Sequence, residues 1–136
     1  MHPTFPAGHA TTAIAACTLL KIVFDEDALF TDIVAPDPLD LAELASVTHV
    51  GQTVGGEINK LAANICDFRT AAGVHFLDDN RAISVGEEIA EVIFLDMIRR
   101  TGVCDRVSCS YRNMAGDVRV LSNDIDQRAN RMSPAS

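Results

Sequence analysis

The sequence predicts a mainly α-helical protein that carries a short β-hairpin near its C-terminus. Three segments are rich in helix-forming residues or place apolar residues at helical spacing, whereas residues 107–120 alternate apolar and polar side chains in two short runs. The 136 residues correspond to one domain by length. We expect residues 1–102 to form the helical part, residues 103–122 a hairpin tail, and residues 123–136 a frayed end.

The first predicted helix begins at residue 8 or 9 and ends near Phe24, in a run of Ala, Thr, Ile, Leu and Val. Residues 25–40 are acidic and contain Pro36 and Pro38, which predicts a loop. Residues 38–48 are compatible with a short helix.

The clearest helix is predicted over residues 57–72, with Gly73 as its C-terminal cap. Its apolar residues recur at intervals of three and four and form one stripe: Ile58, Leu61, Ile65, Phe68 and Ala72. A last helix is predicted from a cap at Asp78 or Asp79 through Arg100 to Gly102. Its internal Gly86 lowers helix stability by about 1 kcal/mol relative to Ala.

The hairpin is predicted from two alternating runs joined by a turn at residues 114–116. Cysteines occur at positions 17, 66, 104 and 109, and none form a Cys-x-x-Cys pair. We predict buried free thiols, with a Cys104–Cys109 disulfide as the alternative.

Charge and composition restrict the partners. The net charge of −8 disfavours nucleic acids and anionic membrane surfaces, so any bound anion needs a local site. Lys21 and Asp96 interrupt the longest apolar stretches, which fall short of the ~20 residues of a membrane span. No basic segment precedes an apolar one at the N-terminus, so we expect a soluble chain without a signal peptide, in a compartment left open.

Two clusters of residues have the chemistry to bind an oxyanion. In the first, Gly8 allows close approach of a ligand, and His9 lies at a helix N-terminus with free N–H groups. In the second, Arg69 ends a helix, with His75 and Asp79 in the loop that follows. Each cluster also has a plain structural interpretation: a turn with a capping histidine in the first, and a surface arginine, a loop histidine and a helix cap in the second.

Taken together, the clusters resemble the superfamily of vanadium-dependent haloperoxidases and type-2 phosphatidic acid phosphatases. The family motif Pro-Ser-Gly-His is similar to residues 6–9, and the motif Arg, five residues, His, three residues, Asp is matched by Arg69, His75 and Asp79. Residues 53–65, and shorter matches around His75 and Gly86, look like bacterial haloperoxidases. The resemblance covers residues 2–121 and implies a partial helical bundle of the acid phosphatase/vanadium haloperoxidase type, with residues 1–102 as the C-terminal half of that domain.

The resemblance also implies roles. His75 would bind vanadium, or attack phosphorus in a phosphatase, and Asp79 would orient it. His9 would be the acid–base group, Gly8 would donate its N–H to an oxygen, and Arg69 would neutralise charge. His2, seven residues before His9, matches a second histidine that bromoperoxidases of the family often carry, which favours bromide as the halide.

The cofactor implied is vanadate, or phosphate or none if the chain is phosphatase-like, and the partners implied are hydrogen peroxide, halide and a small organic acceptor.

The chain departs from the family because no Lys, six residues, Arg-Pro motif occurs in it, Leu77 stands where haloperoxidases often have Arg, and Ala7 replaces Ser. One such hydroxyl donor is worth about 3 kcal/mol in a catalytic site. We therefore expect a fragment or truncated gene product with uncovered apolar faces, which either self-associates as a homo-oligomer or is unstable. Three functions stay open: a halide-oxidising enzyme, a phosphatase acting through a phospho-histidine, and a non-catalytic homologue.

Overall fold

The computed structural model describes residues 5–31, 33–47, 51–81, 83–102 and 106–123. These residues form a mainly helical structure, as the sequence predicts, with two small antiparallel strand pairs, of which the sequence predicts only the C-terminal one. The elements are α1 (Gly8–Val23), β1 (Val34–Pro36), β2 (Leu44–Ser46), α2 (Val54–Ala71), a 3-10 helix (Leu77–Arg81), α3 (Ile83–Thr101), β3 (Ser108–Arg112) and β4 (Val118–Ser122).

Helix α1 is the central element and packs against both α2 and α3. Its buried residues are mostly small, which lets the neighbouring helices approach closely; they include Ala10, Ala13, Ala15 and Cys17. Gly86 of α3 lies where the two helices cross, since a Cβ atom there would be 2.7 Å from the Thr11 carbonyl oxygen and 2.8 Å from Ile14 Cβ. The low helix propensity of Gly86 is therefore offset by close packing.

The C-terminal hairpin packs on the helices through one apolar cluster. Tyr111 of β3 and Leu121 of β4 are buried against Ile22 and Phe94. Strands β3 and β4 pair antiparallel with Ser108 opposite Ser122. These strands confirm the predicted hairpin.

Asn123 extends the pairing of the hairpin by one residue. Its Oδ1 accepts from the Val107 N–H at 2.8 Å, and its own N–H donates to the Val107 carbonyl at 3.2 Å. Asn123 is therefore held at the end of the hairpin, and the rest of the segment predicted to be frayed lies outside the described residues.

The short helix considered for residues 38–48 is wrong. Strands β1 and β2 form an antiparallel pair on either side of a turn. In that turn the Asp37 carboxylate accepts from the Leu39 N–H at 2.7 Å, and the Asp40 carboxylate accepts from the Ala42 N–H at 3.1 Å. Such local bonds from Asp side chains compete with helix formation.

The apolar stripe predicted on α2 is only partly buried, because Ile58 packs against a buried core cluster while other stripe residues are exposed. The helix buries Ala62 and Cys66 against α1 and Gly55 against Glu26, while Leu61 is 52% exposed and Phe68 is 72% exposed. Small residues occupy the face of α2 that contacts α1, because they let the two helices approach each other closely. Apolar surface is thus left uncovered in the described part of the chain, as expected.

The thiols of Cys17 and Cys66 are buried and free, as predicted, and Cys109 is half-buried and also free. Its alternative disulfide partner, Cys104, lies outside the described residues. Burial raises the pKa of all three described thiols. Among the described residues, none of the helices combines the length with the apolar character that crossing a bilayer requires.

Candidate functional site

The two predicted clusters meet where the start of α1 faces the loop after α2. The N–H of Ala7 donates to the carbonyl of Asp79 at 3.0 Å and ties the two segments together. Above this bond, the ring centroids of His9 and His75 lie 6.4 Å apart, with 58° between the ring planes. Two imidazoles that are far apart in the sequence are thus close enough to contact one small ligand.

The end of α2 determines where His75 lies. Gly73 has a φ of +69°, a left-handed conformation that favours glycine and turns the chain after the helix. The N–H groups of Val74 and His75 then point to the Arg69 carbonyl, at 3.2 and 3.4 Å. The backbone of His75 is therefore held beneath the last turn of α2.

Asp79 lies beside the His75 ring. Their side chains are only 7% and 4% exposed, and Asp79 Oδ2 is 3.6 Å from His75 Nδ1. The same oxygen accepts from the Phe76 N–H at 2.9 Å. The distance of 3.6 Å to the ring is longer than a hydrogen bond. The Asp79 carboxylate is therefore held by its bond to the Phe76 N–H, and in that position it lies beside the imidazole.

Asp79 does not cap α3, which corrects the prediction of a helix beginning at Asp78 or Asp79. Both residues belong to the 3-10 helix, and α3 begins at Ile83. The Asp79 carboxylate accepts from the Phe76 N–H and so closes a tight turn that holds Asp79 beside His75.

Gly8 and His9 are exposed at the start of α1, beside an open groove of about 550 Å³. The groove is otherwise lined by apolar or small side chains, namely Thr12, Ala13, Ala16 and Ile65. No atom lies within 4 Å of the position that a Cβ on Gly8 would occupy. Ligands can therefore reach the helix terminus, where backbone N–H groups lack intrahelical acceptors.

Arg69 lies in the last turn of α2, and its backbone carbonyl accepts from the N–H of His75. The residue is half-buried, and its Nε is a buried donor without a hydrogen-bond partner among the described residues. An unpaired buried donor costs about 1–3 kcal/mol, and an anion would satisfy it.

The other residues singled out by the sequence are His2, Leu77 and Ala7. His2 lies outside the described residues. Leu77 is 60% exposed, and Ala7 is fully buried with its N–H bonded to Asp79. The described ranges contain no group of three or more His, Cys, Asp or Glu side chains that could hold a metal ion.

Sequence reasoning missed Asn80, which is 7% exposed and bonded to α2 through its amide. It also treated Lys21 only as an interruption of an apolar run. Lys21 is 2% exposed, donates to Asn59 Oδ1 at 3.0 Å, and has its Nζ 5.8 Å from the centroid of the Tyr111 ring. Neither residue has a periodic signal in the sequence, because its contacts are with residues at least 10 positions away in the chain.

Comparison with known proteins places this site in context. No protein-family model matches the chain. Vanadium-dependent bromoperoxidases from Corallina officinalis and Corallina pilulifera are 40% and 38% identical to it over 91 residues, which cover 65% of this chain and 15% of each relative. The bromoperoxidase of Ascophyllum nodosum is 37% identical over 92 residues, covering 65% of this chain and 16% of that protein.

The matched part of the chain is related to vanadium-dependent haloperoxidases. The matched region spans about 15% of the length of the curated relatives.

The residues at this corner fit an oxyanion such as vanadate. The fit rests on the buried Nε of Arg69, which has no hydrogen-bond acceptor among the described residues, and on two imidazoles 6.4 Å apart. An oxyanion also suits the exposed N–H groups at the start of α1. Because vanadate can be held by hydrogen bonds, charge and one imidazole, the missing cluster of metal-binding side chains in the described ranges does not count against it.

Proposed function

We propose that the chain carries part of a vanadate-dependent haloperoxidase site that oxidises a halide, with bromide favoured, at the expense of hydrogen peroxide. The observation that carries the proposal is the pairing of His9 and His75 at 6.4 Å, in a chain similar to bromoperoxidases. The reaction is halide plus hydrogen peroxide plus one proton, giving hypohalous acid and water. A small organic acceptor would then be halogenated.

Each residue has a separate task in this proposal. His75, with its side chain only 4% exposed, would bind the vanadium, and Asp79 would hold its ring from 3.6 Å away. Arg69 would neutralise charge on the oxygens of the bound ion, and the N–H of Gly8 would donate a hydrogen bond to one of them. When bound, vanadate would activate peroxide as a Lewis acid, and the oxidation state of the vanadium would not change.

His9 would handle the proton that the reaction consumes. It is exposed at the groove, so it can exchange protons with water, and its ring faces the buried His75 ring. General acid–base groups placed in this way contribute about 10²–10⁴-fold in rate. Loss of His9 should therefore lower turnover more than it lowers vanadate binding.

The same corner could serve a phosphatase, in which His75 attacks phosphorus and His9 protonates the leaving alcohol. Phosphate and vanadate have the same tetrahedral shape, and both would satisfy the buried donor of Arg69. The bromoperoxidase relatives favour the halide-oxidising reaction.

Bromination of a phenol-red-type dye, with added orthovanadate, peroxide and bromide, tests the proposal. We expect turnover that requires vanadate, is abolished in His75→Ala and falls at least about 100-fold in His9→Ala. His49→Ala, which changes a histidine outside both motifs, should match the wild type. Vanadate-inhibited release of phosphate from a generic ester, without bromination, would instead establish a phosphatase, and no turnover in either assay would establish a non-catalytic homologue.

A further inference from the structure

Asn80 is a buried side chain that joins the 3-10 helix to α2. It is 7% exposed, and its Nδ2 donates to the carbonyl of Cys66 at 2.8 Å and to Oγ1 of Thr70 at 2.6 Å. Both acceptors belong to the last turns of α2. One amide group therefore fixes the distance between two elements that carry site residues.

On the 3-10 helix, Asn80 directly follows Asp79. The Asp79 carboxylate faces the His75 ring from 3.6 Å, and its backbone carbonyl accepts from Ala7 at 3.0 Å. A shift of Asn80 would therefore move the neighbour of the His75 ring together with the anchor for the start of α1.

On α2, the second acceptor of Asn80 directly follows Arg69. The carbonyl of Arg69 accepts from the N–H of His75 at 3.4 Å, so this turn of α2 positions the His75 backbone. The bond between Asn80 and Thr70 thus connects the turn of α2 that holds the His75 backbone with Asp79, which lies beside the His75 ring.

The amide of Asn80 is used mainly through its two donors. Its Oδ1 is a buried acceptor without a hydrogen-bond partner among the described residues. A buried polar atom left unpaired opposes folding, and an apolar side chain at this position would avoid that penalty. Packing alone does not account for an amide here, whereas fixing two acceptors on α2 does.

We infer that Asn80 is a positioning residue, which sets the orientation of the His75 ring by clamping Asp79 and the end of α2 together. The inference rests on the proposed function, in which His75 contacts the oxyanion. Residues that orient a ligating histidine typically change metal affinity or activity by about 10–100-fold when they are mutated.

Long-range ¹H–¹⁵N spectra of the histidine rings in the full chain, without any ligand, test the inference directly. These spectra report which ring nitrogen of His75 carries the proton. We expect Asn80→Ala and Thr70→Val to change the His75 ring shifts and to weaken binding of orthovanadate about 10-fold. Thr70→Ser keeps the hydroxyl and should restore wild-type values, and Asn64→Ala, an exposed asparagine of α2, should not alter them.

A purely structural role would give a different pattern. If Asn80→Ala and Thr70→Val lower the melting temperature but leave the His75 ring shifts and the orthovanadate affinity at wild-type values, the inference is overturned. If Asn80→Ala does not fold, Thr70→Val decides, because it removes one bond with little change in shape. If the wild-type chain does not bind orthovanadate, the proposed function fails, while the ring shifts of the ligand-free chain still decide the role of Asn80.

Discussion

Tyr111 connects the hairpin to the helices by one hydroxyl and one ring. It is 1% exposed, its hydroxyl donates to Glu91 Oε1 at 2.9 Å, and the same carboxylate accepts two bonds from Arg119 at 3.0 and 3.2 Å. Burial first, and then the bond to Glu91, raise the pKa of Tyr111 well above its ordinary value of 10.0. Burial also lowers the pKa of Lys21, which lies against the ring.

The raised pKa of Tyr111 makes the stability of the protein fall in alkali. Above pH 10 the unfolded chain releases the phenolic proton while the folded chain keeps it, so the folded state binds more protons and loses stability as the pH rises. We expect Tyr111→Phe to lower the free energy of unfolding by about 1–3 kcal/mol at pH 8. That difference should shrink at pH 10.5.

Urea unfolding of both proteins at the two pH values measures this effect. Lys21, with a lowered pKa, contributes the opposite slope below its ordinary value of 10.5, but it is present in both proteins. A difference between the wild type and Tyr111→Phe that stays constant or grows with pH would contradict the assignment.

At the scale of elements, the packing of α1 decides which faces are buried. The spacing of apolar residues predicts α1, α2 and the hairpin, because these patterns are local. It does not predict that Leu61 and Phe68 are exposed, since that depends on the small side chains of α1. The strands β1 and β2 were missed for another reason, because Asp37 and Asp40 redirect the turn through side-chain bonds.

The sequence predicts only those residues of the candidate site that belong to the two motifs. Motif spacing brought His9, His75 and Asp79 into one hypothesis, and the structure brings these residues together. Asn80 follows the last motif residue and has no periodic signal, so its bonds to α2 appear only in the folded chain.

The crossing of α1 and α3 gives a prediction about Gly86. A Cβ atom there would lie 2.7 Å from the Thr11 carbonyl oxygen and 2.8 Å from Ile14 Cβ, too close for the helices to keep their distance. We expect Gly86→Ala to destabilise the protein by about 1–3 kcal/mol, despite the gain of about 1 kcal/mol in helix propensity.

Ser84→Ala is the matched control, because Ser84 is exposed on the same helix. It should leave stability unchanged or raise it slightly in urea unfolding. A Gly86→Ala protein as stable as the wild type would show that the crossing tolerates a methyl group.

At the scale of the whole molecule, apolar surface and net charge act against each other. Phe68 of α2 is 72% exposed and Val92 of α3 is 67% exposed, while the chain carries a net charge of −8. Exposed apolar surface drives association, and like charge opposes it over about 10 Å at 0.1 M salt.

We therefore predict that the chain self-associates in a concentration-dependent way, and more strongly at high salt. Sedimentation velocity over a concentration series measures this. The double variant Leu61→Ser/Phe68→Ser should associate less with unchanged helix content, whereas Leu39→Ser, at a loop residue 95% exposed, should behave as the wild type. A monodisperse monomer at every concentration and salt level would contradict the prediction.

The shared oxyanion between His9 and His75 is tested most directly by titrating the ¹⁵N-labelled chain with orthovanadate and following both ring signals. Because the rings lie 6.4 Å apart, one bound ion should shift both signals with a single dissociation constant. Shifts in one ring alone, or two different dissociation constants, would show that the two histidines do not share a ligand.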